Sequence, residues 1–259
     1  MRKDDKKMSK KVISIVGRKG GVGKSTLSYN LASALAKMDY KTLLIDLDSQ
    51  NDSSLFLGIP KEAYNKTFDD LFDKKNPARL EECIISTGRD NLYLLPNSSL
   101  EIVDSYLHQT NRIDLIFKHV LKDLDYMDFD YVIVDSSPTK NKVNDALLCW
   151  TDSIILPVQL QGASVRSIGN IYTYLTDLYL DPSLIKAVIP NQFNITTNDS
   201  KENLEFLEEF FEGQNLLTPA IPMRTKIAEA CKQGKTIWEY DQEASSHYIK
   251  VVEAIVKAI

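Results

Sequence analysis

Val12-Ile13-Ser14-Ile15-Val16 is an apolar run, and Gly17-Arg18-Lys19-Gly20-Gly21-Val22-Gly23-Lys24-Ser25-Thr26 follows it directly. Leu27 to Met38 then carries a helical pattern. Strand, glycine-rich turn and helix in that order form the context of a phosphate-binding loop. Glycines let the backbone curl until successive N–H groups point at phosphate oxygens, and the new helix adds its positive end. Lys24 is placed to reach the outer phosphates of a nucleotide and the Ser25 hydroxyl to ligate Mg²⁺. A flexible turn closing a strand would not need Lys24 and Ser25 after Gly23.

Working outward, Tyr40 to Asp46 is a second apolar run ending in an acid, and the polar segment Leu47 to Ser54 begins where it stops. Tyr131-Val132-Ile133-Val134-Asp135 repeats the pattern and runs into Ser136-Ser137-Pro138. A carboxylate at the tip of a buried strand, in series with a phosphate loop, is placed to support the Mg²⁺ shell. Ser153 to Pro157 and Leu184 to Ile189 are further buried strands, and Leu217 to Ile221 a short one. Helices are expected over Ser98–His108, Arg112–Leu124, Asp145–Trp150, Ser164–Leu180, Lys201–Phe211 and Ser245–Ile259, with a short one over Thr67–Phe72. Leu80 to Ser86 and Asn91 to Leu95 read as strands. Uninterrupted apolar strands alternating with helices indicate an α/β fold with a doubly wound, mostly parallel sheet flanked by helices. In such a sheet ligands bind beyond the carboxyl ends of the strands, where Asp46, Asp48 and Asp135 fall.

Composition sets bounds. The 259 residues are 43% hydrophobic and 26% charged, enough for one sizeable α/β core. Residues 1–11 read as a disordered basic lead-in and 12–259 as a single P-loop domain. The lead-in has no apolar region of a signal peptide, and no apolar run approaches the ~18 residues of a membrane span. The net charge of −5 means that any contact with nucleic acid must come from a local basic face. Cys83, Cys149 and Cys231 lack metal-type spacing and suit a reducing compartment. His108 and His119 read as helix-surface residues.

The loop departs from the general pattern in a specific way. Arg18 stands where the first glycine is usual, and Lys19 follows it, giving a K-G-G-x-G-K-[ST] core. This resembles the deviant loop of the ParA/MinD group of ATPases. From about Val12 onward the chain is similar to the ParA, or Soj-like, partition ATPases in a short form with no helix-turn-helix extension before Val12. Leu44 to Gln50 is similar to the family's D-x-D-P-Q segment, with Ser49 in place of proline, and Val132 to Pro138 to its D-x-P-P segment, with Ser137 in place of the first. Leu156-Pro157-Val158-Gln159 fits the next strand end. The tail is the most specific part: Ile221-Pro222, Glu229-Ala230, Gly234-Lys235 and Tyr240-Asp241 look like the family's I-P…E-A…G-K…Y-D signature. Gln161 stands where an acid is common, and Asn194 to Asn198 lacks an arginine that Soj-like members often carry.

The resemblance implies an ATPase, slow and stimulated by a partner, whose nucleotide state controls dimerisation and non-specific binding to double-stranded DNA. The backbone of Gly20, Gly21, Val22, Gly23, Lys24, Ser25 and Thr26 would cradle ATP. Ser25 would hold Mg²⁺, with Asp135 and Asp46 behind it. Asp48 would orient the attacking water, the alternative being a turn residue that caps the next helix. Lys19 would cross a homodimer interface to the partner copy's nucleotide, the alternative being an exposed lysine at the shoulder of the loop. Adenine would lie by Asn191 and Pro222, though Asn191 also suits a plain turn. Arg224, Lys226, Lys232, Lys235 and Lys250 are the DNA candidates, against a solvated helix face interrupted by Glu229. The resemblance also implies a ParB-like centromere-binding partner, no membrane attachment, and a cytoplasmic, nucleoid-associated location. Plasmid and chromosomal systems are not distinguished. A MinD-like membrane switch and a regulatory or conjugation accessory on the same fold stay open as alternatives. An iron-protein-like reductase lacks cysteines at the matching strand ends, and a metabolic kinase lacks a substrate-binding insert.

Overall fold

The apolar runs of the sequence lie side by side in one sheet. The computed structural model describes residues 10–162 and 168–259. Its strands are β1 (Lys11–Ile15), β2 (Thr42–Leu47), β3 (Ile85–Ser86), β4 (Leu92–Leu95), β5 (Tyr131–Ser136), β6 (Ser153–Gln159) and β7 (Ile185–Asn191). Their order is β3-β4-β2-β5-β1-β6-β7, parallel except for β3 against β4. Every residue of β2 and β5 is buried, as expected of strands covered on both faces. The sheet, with its flanking helices, is the expected doubly wound α/β architecture.

Helix α1 (Lys24–Lys37) is the central helix and is buried along most of its length, from Leu27 through Ala36. Around it on the same face pack α9 (Thr225–Lys232), α10 (Ile237–Tyr240) and α11 (Gln242–Ala258), through Ala230, Ile237, Tyr248, Val251 and Ile255. The apolar stripe of the terminal helix, Tyr248, Val251, Val252 and Ile255, is thus spent on the core. The opposite face is covered by α4 (Glu101–His108), α5 (Ile113–Val120) and α6 (Lys142–Trp150). Helices α7 (Ile168–Asp177) and α8 (Asn198–Phe210) pack over β6 and β7. Two further helices are short, α2 (Asp52–Phe56) and α3 (Leu80–Cys83). Among the described residues no helix is long and apolar enough to cross a membrane.

Three expectations need correction or restriction. Leu80 to Ser86 is not one strand: Leu80–Cys83 is a helical turn, because Glu82 reaches back to the Arg79 backbone N–H at 3.0 Å, and only Ile85–Ser86 pairs in the sheet. Leu217 to Ile221 forms no strand; Leu217 makes a single bridge to Val188 and Pro222 one to Phe193. Pro219 and Pro222 have no N–H for a ladder. The helix expected from Ser164 is described from Ile168, and its start, like residues 1–9 of the expected lead-in, lies outside the described residues.

Candidate active site

The strand order builds the site. Because β5 lies between β2 and β1, Asp46 and Asp135 become register partners although 89 positions apart, and Ile15, the last residue of β1, pairs with Asp135 on its other side. The turn follows, with Gly21 at φ 76° and Gly23 at φ 92°, a left-handed conformation that glycine adopts without strain. Gly23 is the N-cap of α1. A Cβ there would meet Asn191 Nδ2 at 2.2 Å, so the position has neither the backbone nor the room for a side chain. Asn191 donates to the carbonyl of Val22 at 2.8 Å and Gln192 to that of Gly21 at 2.7 Å. The end of β7 therefore pins the turn from the side.

The charged groups gather at the start of α1. Lys24 is buried, and burial pulls its pKa down; Asp135, Asp48 and Asp52 oppose that shift. Asp135 is fully buried and accepts hydrogen bonds from Ser28 Oγ at 3.0 Å and Ser53 Oγ at 2.8 Å, with the Ser25 hydroxyl a further partner. Asp46 is also fully buried and accepts from the N–H of Asp48 at 3.2 Å and from Ser54 N and Oγ at 3.1 and 3.0 Å. Burial raises both carboxyls above the ordinary carboxylate range, and the charge of Asp135 raises Asp46 further. Both carboxyls therefore hold a proton more tightly than a free carboxyl does, and the hydrogen bonds from the serine hydroxyls oppose that shift only in part.

Asp48 lies at the same edge, 8% exposed, with Oδ1 accepting from the Gln50 N–H at 3.2 Å. It does not cap α2, whose N-cap is Asn51. Asn97, which the sequence reading passed over, is completely buried and donates through Nδ2 to the carbonyls of both Asp46 and Asp48 at 2.9 Å each. Ser28, Ser53 and Ser54 were equally unmarked. Their signal is faint: small polar residues on apolar helix faces or just beyond strand ends.

Lys19, at the shoulder of the turn, donates to Gln159 Oε1 at 3.4 Å. Beside Gly23 and Thr26 opens a cavity of about 420 Å³ lined also by Asn191, Pro222, Phe56 and Ile227. Asn191 and Pro222 are therefore together at one cavity next to the turn. Arg224 and Lys232 line it too. Arg224 pairs with Glu243 at 3.1 Å and Lys226 with Glu229 at 3.1 Å, so part of the basic surface is locally compensated. Lys235 and Lys250 are exposed and lie away from the cavity lining.

With this geometry in place, comparison with known proteins is informative. The AAA domain family matches residues 10–185. The sporulation initiation inhibitor protein Soj of Bacillus subtilis is 28% identical over 237 residues, covering 89% of this chain and 91% of Soj. The cell division protein PomZ of Myxococcus xanthus is 30% identical over 227 residues, covering 86% of this chain and 70% of PomZ. A plasmid partition protein from Borrelia burgdorferi, solved bound to AMPPNP, superposes with a TM-score of 0.80 at 25% identity, covering 96% of this chain and 99% of that one. Glycine turn, lysine pair and strand-tip carboxylates, set in this sheet and matched along nearly the whole chain, make it a member of the ParA-like partition ATPases, a family of P-loop ATPases.

Proposed function

We propose that this chain is an ATP-driven partition switch: ATP and Mg²⁺ bind at the carboxyl edge of the sheet, two copies then associate and hold double-stranded DNA, and hydrolysis releases them. One observation carries the reading: Lys24, Ser25, Asp46, Asp48 and Asp135 converge where β1, β2 and β5 end, beside a cavity of nucleoside size. The donor set fits Mg²⁺. It consists of hard oxygens, a hydroxyl backed by two buried carboxyls whose ionised form a cation would stabilise. When bound, Mg²⁺ supplies charge neutralisation between the outer phosphates.

The protein's own groups do the rest. The N–H groups from Gly20 to Thr26 hold phosphate oxygens at the positive end of α1. Lys24, kept close to three carboxylates, places its charge where negative charge grows as the terminal phosphoryl group leaves. Ser25 presents its hydroxyl to Mg²⁺, with Asp135 and Asp46 behind it. Asp48, anchored through its carbonyl by Asn97, orients the attacking water. Asn191 and Pro222 flank the base. Lys19 reaches the nucleotide of the partner copy.

Exposed Lys226, Lys232, Lys235 and Lys250, with Arg224, form the DNA face, doubled on dimerisation, and its contacts are to phosphates and steeply dependent on salt. A ParB-like centromere-binding protein stimulates turnover, the location is the nucleoid, and one domain from residue 12 to 259 carries the activity. Because α11 spends its apolar stripe on the core, the partition reading is preferred to a MinD-like membrane switch. The deciding experiment measures ATP turnover alone, with duplex DNA, and with the product of the neighbouring gene, beside DNA retention in ATP and in ADP. Retention that is equal in the two nucleotides refutes the switch.

A further inference from the structure

Lys19 is the first member of a chain of hydrogen bonds that returns to its own loop. It donates to Gln159 Oε1 at 3.4 Å; Gln159 Nε2 donates to Gln192 Oε1 at 2.8 Å; Gln192 Nε2 donates to the carbonyl of Gly21 at 2.7 Å. The direction of this chain is forced. A lysine ammonium only donates and a backbone carbonyl only accepts, so each of the two amides between them has one orientation that satisfies both neighbours. The backbone prepares the arrangement. Gln159 and Asn191 are register partners at the ends of β6 and β7, and Gln192, next along, sits at φ 56°, in the left-handed region that a side chain of its size enters at a cost. Its two side-chain bonds and its N–H bond to Asn191 Oδ1 at 2.9 Å hold it there.

We propose that Gln159 and Gln192 are positioning residues. They retain Lys19 within its own protomer and tie its place to the Gly21 carbonyl, so the lysine must leave Gln159 before it can reach a second copy's nucleotide. This rests on the reading of Lys19 as the residue that crosses the dimer interface. Gln159 then sets part of the threshold for association. Each dimer releases two such contacts. A long, half-exposed charged bond contributes roughly threefold, so two contribute about tenfold.

The test compares the full chain with Gln159→Ala and Gln159→Glu. Both variants lose the donor to Gln192, and they differ in what they offer Lys19: nothing in one, a carboxylate in the other. Association is followed by sedimentation in AMPPNP and Mg²⁺ across protein concentration, and each midpoint is referred to that variant's own nucleotide affinity as a monomer. The expected result is that Gln159→Ala dimerises at about tenfold lower concentration than wild type and Gln159→Glu at higher concentration than wild type. Shifts in opposite directions would not arise from a merely structural role. Midpoints within twofold of each other, or a reversed order, overturn the proposal while leaving the dimer reading intact. A wild-type chain that stays monomeric at saturating AMPPNP overturns the dimer reading itself, and this inference with it.

Discussion

Asn97→Ala is the sharpest test of how the site is held. Asn97 is completely buried, and its one amide nitrogen serves two carbonyls, those of Asp46 and Asp48. Alanine removes that donor from both, but the Asp48 carbonyl keeps the Asn51 N–H at 2.9 Å. An unsatisfied buried group costs about 1–3 kcal/mol. Against this, Asn97 Oδ1 has no partner among the described residues, so its removal returns part of the loss. The net expectation is about 1–3 kcal/mol of stability. A domain with about 5–15 kcal/mol in hand, as is typical, stays folded, and the urea midpoint falls by about 0.5–1.5 M for a slope near 2 kcal/mol/M. Catalysis suffers separately. The Asp48 backbone loses one of two anchors and keeps the one from the Asn51 N–H, so turnover should drop about tenfold, whereas nucleotide affinity, which depends on Lys24 and the loop amides, should change by no more than about threefold. Asn97→Asp is the control: it keeps the shape and turns an oxygen toward both carbonyls, and it should be no better than alanine. Urea denaturation, ATP turnover and binding of a fluorescent nucleotide check the three quantities. If Asn97→Ala matches wild type in midpoint and turnover, Asn97 does not position Asp48.

Asp48→Ala should bind ATP with near-normal affinity and hydrolyse it at least a hundredfold more slowly; normal turnover would remove Asp48 from the reaction. Lys19→Ala should bind nucleotide as a monomer yet fail to dimerise in ATP, and sedimentation would detect the failure. Gly23→Ala should abolish nucleotide binding, since its Cβ would strike Asn191 at 2.2 Å in a backbone conformation already unfavourable for alanine; isothermal titration that finds unchanged affinity refutes this. Glu239 gives a pH dependence. Burial raises its pKa, but bonds from Arg89 and Thr236 outweigh that and hold it below its ordinary value of 4.5. A carboxyl lowered on folding adds stability above its unfolded pKa and loses it as pH falls through the folded one. Wild type should therefore lose more stability than Arg89→Ala as pH is lowered below about 5 in acid titrations of the folded state.

The strands were legible because burial on both faces leaves an uninterrupted apolar run, and β2 and β5 are buried at every residue. Strand order was not. Nothing in Asp46 or Asp135 says that they will be register partners; burial raises both carboxyls, and the pairing adds the charge of Asp135 to the shift of Asp46. Segments where local chemistry outweighs apolar content misled the reading. Leu80 to Cys83 leads into the apolar pair Ile84-Ile85, but its two glutamates favour a helix and the Arg79–Glu82 backbone contact closes a helical turn there. The lysines and strand-tip acids stood out because charge is unusual at buried strand ends. The amides that place them did not: Asn97, Gln159 and Gln192 each follow or end a strand and look like ordinary turn residues until their partners are known.

The tail signature also acquires a physical reason. Gly234, at φ 63°, lies so close to Gly58 that a Cβ on it would come within 2.6 Å of the Gly58 Cα. Arg89 bridges the same place, donating to the carbonyls of Leu57 and Gly234 at 2.9 and 3.0 Å and to both Glu239 carboxylate oxygens at 2.9 and 3.0 Å. Asn30, on the phosphate-loop helix, accepts from the Ile237 N–H at 2.8 Å, and its carbonyl accepts from Trp238 Nε1 at 3.1 Å. Asp241 caps α11 through the Ala244 N–H. Gly234 and Arg89 fasten the end of α2 to the turn between α9 and α10, and Asn30 fastens α1 to α10. Two backbones in contact at paired glycines have no flexible side chain to absorb a displacement. The tail signature therefore marks residues that hold the last three helices against α1 and α2, beside the cavity at the phosphate loop.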